Sequence, residues 1–162
     1  MRKRLAAVVV SSALGLIGMS GPALADPIGR YDCIIVGTIL REPIGDRDGH
    51  DIVSLEYTCR GLDGLLKDTG VTAFSVSEWD GQKGKYLASL GIHRAPGGFA
   101  VGQLVEGTNS MLMKDGKTIG LEASGTTFFK YASGTLTPIA GKTVKFVVKP
   151  SDLGRFEIEF TE

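Results

Sequence analysis

The chain has 162 residues, with 18 basic and 18 acidic side chains, two cysteines and two histidines. That balance excludes the basic stripe that would draw the protein to nucleic acid or an anionic lipid surface. No charge run, solenoid-length repeat or low-complexity tail divides it, so one domain accounts for the length.

Arg2, Lys3 and Arg4 open the chain, an apolar run follows from Leu5 to Ile17, and small residues end in Ala23-Leu24-Ala25. This order of positive, apolar and A-x-A segments predicts a signal peptide over 1–25, cut before Asp26, and hence a periplasmic or secreted protein. No cysteine follows the cut to take a lipid, and no later apolar stretch approaches the ~20 residues of a membrane span. Removing the three cations from the 18 leaves 15 basic against 18 acidic residues, a net charge of −3 over 26–162.

Export places Cys33 and Cys59, the only cysteines, in an oxidising compartment, which predicts a disulfide between them. Closing a loop of that length contributes roughly 3–4 kcal/mol through chain entropy.

Alternation of period two runs through nearly all the rest. Tyr31–Leu40, Asp51–Cys59, Val71–Trp79, Lys85–Ile92, Phe99–Glu106, Ser110–Lys114, Lys117–Ala123, Thr126–Tyr131, Thr143–Lys149 and Arg155–Thr161 read as strands. Turn signals such as "WDGQKG", "RAPGG", "EGTN" and "KDGK" separate them. Gly61–Thr69 has room for one helical turn, which Gly64 weakens. Ten short strands predict an all-β domain over 26–162: a single antiparallel barrel, lipocalin-like or allene-oxide-cyclase-like, with a β-sandwich as the alternative.

Two hairpins follow from the pattern. Placing Cys33 opposite Cys59 sets Ile35 by Tyr57, Val36 by Glu56, Gly37 by Leu55, Thr38 by Ser54 and Ile39 by Val53, with like meeting like on each face. At the far end, a five-residue loop over Pro150–Gly154 sets Val148 by Phe156, Phe146 by Ile158, Val144 by Phe160 and Lys145 by Glu159. It leaves one poor pair, Lys149 by Arg155.

The loop of the first hairpin contains "GDRDGHD", residues 45–51. Turn chemistry explains most of it: glycine for positive φ, and aspartates that bond nearby amides. Asp46, Asp48 and Asp51 also form a candidate calcium set, although Gly49 falls out of EF-hand order. Zinc lacks ligands, because His50 and His93 are the only histidines. A His50–Asp51 acid–base unit is opposed by alternation, which turns neighbours to opposite faces. Glu78 and Asp80 flank Trp79 as glycosidase carboxylates do, but Asp80-Gly81 is a turn signal and Trp79 suits a core or rim. His93 reads as a strand-end residue. No nucleophile elbow, phosphate loop, dinucleotide fingerprint or zinc-protease motif is present.

Gly37, Gly91, Gly102 and Gly120 interrupt strands. Such glycines mark bulges or close approaches, and inside a barrel they leave volume. A pocket lined by Tyr57, Phe74, Tyr86 and Phe99 is predicted for a small apolar ligand.

The stretch "ASGTLTPIAG", Ala132–Gly141, resembles a segment of allene-oxide-cyclase-like and dirigent-like β-barrels and of small exported bacterial proteins. Ser133, Gly134, Leu136, Ile139 and Gly141 fit it. The resemblance spans ten residues and implies a barrel, with no active-site residue carried across. The expectation is a binding module for a small apolar ligand or a protein partner, without a cofactor. A cyclase or isomerase working in the cavity is one alternative. A small outer-membrane barrel, with Phe156, Ile158 and Phe160 facing lipid, is another.

Overall fold

A computed structural model describes residues 27–162; the signal segment expected over 1–25 lies outside the described residues. Eight strands occur in chain order: β1 (Pro27–Pro43), β2 (His50–Gly61), β3 (Gly70–Asp80), β4 (Lys83–Ala95), β5 (Gly98–Lys114), β6 (Lys117–Ala132), β7 (Thr143–Asp152) and β8 (Arg155–Thr161). Each pairs antiparallel with the next, and β8 returns to pair with β1. The sheet is thus a closed barrel, not a sandwich, and closure leaves no bare strand edge.

Eight strands replace the expected ten, because β5 runs on through "EGTN" and β6 through Ser124-Gly125. Here glycine serves packing, not turning. Gly107 sits opposite Gly125, and a Cβ on Gly125 would lie 2.2 Å from the Glu106 carbonyl oxygen and 2.8 Å from the Phe146 ring. Two bare glycines let that ring lie against two adjacent backbones.

The first hairpin has the expected register from Cys33–Cys59 to Val36–Glu56 and then departs from it. Two extra residues enter β1 around Gly37, whose φ of +72° suits glycine. Beyond that bulge Leu40 faces Ser54 and Arg41 faces Val53, where Thr38 and Ile39 were expected. An even slip preserves the faces, so Ile39 still points inward.

The last hairpin slips by two in the same way. β7 continues to Asp152, a tight turn at Leu153-Gly154 replaces the five-residue loop, and Phe146 faces Phe160 while Val148 faces Ile158. The slip removes the poor pair: Lys149 now faces Glu157.

The two ends of the barrel differ. Loops β2–β3 and β6–β7 each contain a 3₁₀ turn, Gly64–Leu66 and Gly134–Ile139, which insert the fully buried Leu66, Leu136 and Ile139. The first is the helical turn expected over 61–69, and the second lies within the Ala132–Gly141 segment. Behind them pack Tyr31, Phe129, Val144, Phe160 and the Cys33–Cys59 disulfide, whose Cα atoms are 4.0 Å apart. The opposite end has four turns, β1–β2, β3–β4, β5–β6 and β7–β8, and no helical turn covers it among the described residues.

Candidate ligand cavity

On β3 the inward positions are Val71, Ala73, Ser75, Ser77 and Trp79. A bulge shifts β4 so that Tyr86, Ser89, Gly91 and His93 share the interior with them. Small side chains on this wall, beside Leu55 and Tyr57 of the adjoining β2, look towards Phe146 and Phe156 of β7 and β8, and a cavity of about 480 Å³ remains between them. That lies in the range of small-molecule sites. Its mouth is at the uncovered end, where Ile39, Ile119 and Leu153 stand exposed on the rim.

Of the four aromatics predicted to line a pocket, Tyr57 and Tyr86 do so. Tyr57 meets Phe156 edge-on with ring centroids 5.3 Å apart, and Tyr86 meets Phe146 at 6.3 Å. Burial raises the pKa of both hydroxyls, that of Tyr86 to about 12, so both remain donors. Phe74 and Phe99 lie on the outer surface, 44% and 47% exposed, and line nothing. The outer face of β3–β5 is itself apolar, so an aromatic there did not mark the inside. Trp79 is inside, as a core or rim residue should be, and its indole N–H donates to Ser77 Oγ at 2.8 Å.

Towards the closed end the cavity narrows to a pit of about 40 Å³, bounded by Tyr57, Ser89, Thr127 and His93. His93 is 4% exposed. Its Nδ1 meets the Tyr31 hydroxyl at 2.8 Å. Burial lowers its pKa to about 4, so the ring is neutral near pH 7. The sequence reading missed His93, because the β4 bulge that turns it inward has no glycine or proline of its own.

The acidic loop does not reach the cavity. His50 is held between Asp46 (Nδ1–Oδ1 2.5 Å) and Glu78 (Nε2–Oε1 2.8 Å), while Arg47 bridges Asp46 and Asp80, each at 2.7 Å. The Gly81 amide donates to the Gly49 carbonyl at 2.9 Å. Residues 45–51 therefore clasp the β1–β2 loop to the β3–β4 turn. Hydrogen bonds accepted by Glu78 and then by Asp46 raise the His50 pKa, and the His50 contact lowers that of Asp46. Glu78 and Asp80, considered as a carboxylate pair, are spent on His50 and Arg47. Asp51 pairs instead with Arg41 (2.9 Å) on the cavity rim, so the calcium candidates Asp46, Asp48 and Asp51 do not converge. No metal-binding group of three His, Cys, Asp or Glu residues occurs among the described residues.

On β8 the outer-membrane reading needs Phe156, Ile158 and Phe160 outside; all three face the interior, and Phe160 and Ile158 are buried there. No helix among the described residues is long and apolar enough to cross a membrane. Comparison with family models, curated proteins and solved structures gives no match to this chain.

Proposed function

We propose that the protein is an exported binding module that holds a small apolar molecule inside its barrel. The observation that carries this reading is the asymmetry of the interior: a cavity of about 480 Å³ opens at one end, while buried leucine and isoleucine seal the other. Export is supported by the signal-like start of the chain and by the disulfide, which suits an oxidising compartment. Thermal unfolding with a panel of apolar compounds tests the reading. A ligand at a hundred times its Kd adds about 2.7 kcal/mol of stability. A panel without any shift, together with native mass spectra showing only the bare chain, would remove it.

A protein partner is the second reading, supported by the exterior. Phe74 pairs with Leu90 and Val101 with Tyr131 on the outer face of β3–β6, where Phe74, Leu90 and Tyr131 are largely exposed. Loss of self-association or capture on Leu90→Glu would favour it. The cyclase or isomerase reading draws on the neutral His93 at the cavity's base, with no carboxylate beside it in the pit.

A further inference from the structure

The pit contains a group that nothing in the protein uses. Nδ1 of His93 is engaged by Tyr31, but Nε2 makes no hydrogen bond among the described residues. It stands 3.4 and 3.2 Å from the points where Gly91 and Gly102 would have Cβ atoms, and both glycines line the pit. Among the described residues the enclosed polar atoms without a partner are Thr69 Oγ1 and Asn109 Oδ1, and Nε2 is not one of them: it is open to the pit. The arrangement around it is directional. The Tyr31 hydroxyl is fully buried and has one short partner, Nδ1, so the phenol proton, which needs an acceptor, is assigned to that contact. Thr69, also fully buried, lies beside Tyr31 without closing a bond of its own. With Nδ1 accepting, the ring proton is assigned to Nε2, which makes His93 a donor aimed into the pit.

The volume of the pit matches this role. About 40 Å³ is room enough for a water molecule or a small polar group, and the pit shares Tyr57, Ser89, Leu104 and Thr127 with the apolar cavity above.

We propose that the pit is a head-group subsite in which His93 Nε2–H, beside the Tyr57 and Ser89 hydroxyls, receives an uncharged oxygen at the end of an apolar ligand. The ligand enters head first, and its hydrocarbon body fills the wider cavity. Long-chain ketones, alcohols and related neutral lipids have this chemistry. A terminal ammonium does not, since it offers no acceptor, and no carboxylate stands in the pit to receive it. The proposal rests on the binding-module reading above.

The test measures displacement of an environment-sensitive naphthylamine dye by undecane and by methyl nonyl ketone, which match in carbon count and differ in one oxygen. The ratio of ketone to undecane affinity is expected to be about three- to tenfold higher in the wild type than in His93→Leu, the worth of one hydrogen bond. Undecane affinity should stay the same in His93→Leu, and His93→Gln, which retains an N–H donor, should recover part of the ratio. An unchanged ratio in His93→Leu would overturn the head-group subsite and leave the cavity reading standing. Failure of both compounds to bind would overturn both. Should the variants not fold, the His93 ring nitrogen resonance of the unmutated protein decides. A shift of Nε2 with ketone and not with undecane supports the proposal, and an unmoved signal refutes it.

Discussion

The two ends of the barrel share the same eight strands and the same alternation, yet one is a plug and the other a vessel. At the base, His93, Phe129, Phe160 and Tyr31 pack ring against ring, with His93–Phe129 centroids 5.1 Å apart and Phe129–Phe160 6.0 Å apart. Nearer the mouth, Ser75, Ser77 and Ser89 occupy inward positions where large rings would be needed to fill the same cross-section. Backbone pattern therefore decides which side chains turn inward, and their size decides whether the interior is solid. A protein built this way concentrates its packing at one end and leaves the other hollow.

Truncating a large side chain at each end gives the widest separation. Phe129→Ala removes a ring with no exposed surface from the packed base and is expected to cost about 3–5 kcal/mol. Ile39→Ala, on the rim and 48% exposed, should cost less than about 1 kcal/mol. Guanidinium unfolding measures both. Similar losses at the two sites would mean that the mouth is packed as tightly as the base.

The disulfide belongs to the same end. It spans 26 residues of sequence between inward positions of β1 and β2. Replacing Cys33 and Cys59 together by alanine is expected to lower stability by about 3–4 kcal/mol. The dye affinity of the folded fraction should remain within a factor of two, since the bridge stands outside the wide cavity. A lost affinity at unchanged stability would reverse the assignment of labour between the ends.

Adding volume sharpens the contrast from the other side. Ala100→Leu at the base has nowhere to put three carbons and should cost about 1–3 kcal/mol. Ser75→Leu points a net two further heavy atoms into the cavity and should be neutral, or stabilise by about 1 kcal/mol, while weakening the binding of apolar compounds. Unfolding curves and dye displacement on the two variants form the check. A large loss of stability in Ser75→Leu would argue against an open interior.

Much of this division was legible in the sequence, and the gaps have physical causes. The barrel and the grouping of side chains into two faces on β7 and β8 followed from period two, because a face is a local property, and the Cys33–Cys59 bridge followed from the export signal and the count of two cysteines. The registers beyond Gly37 and at Lys149 did not, because a slip of two residues leaves every face unchanged and the pattern is blind to it. Two strands were cut in half at Gly107 and Gly125, where glycine signals close backbone approach as readily as it signals a turn. The pocket suffered most. Phe74 and Phe99 were assigned inward for being aromatic, whereas the cavity is defined by its small residues, and Ser75, Ser77 and Ser89 look in a sequence like ordinary outward polar positions.

The least costly element to disturb is the clasp at the mouth, and its dependence on pH gives the finest test. Glu78 and Asp46 raise the His50 pKa above the ordinary 6.5, so its contribution is fully present below that value and lost as pH rises through the higher folded one. The pKa of Asp46 is lowered below the ordinary 3.8 by His50, so its contribution is present above 3.8 and lost as pH falls through the lower folded value. The clasp is thus complete between those two limits and opens first on the alkaline side, where an uncharged imidazole can donate to only one of its two carboxylates. Because Asp46 and Glu78 are half exposed to solvent, the effect on global unfolding should be slight and screened by salt. It should be plainer in amide exchange of residues 44–49, which quickens as pH rises past the folded His50 value once intrinsic exchange is divided out. His50→Gln should flatten that rise, while the protection of β1 and β8 at the base stays as it was. Equal loss of protection at the base would show that the clasp belongs to the barrel as a whole and not to its mouth.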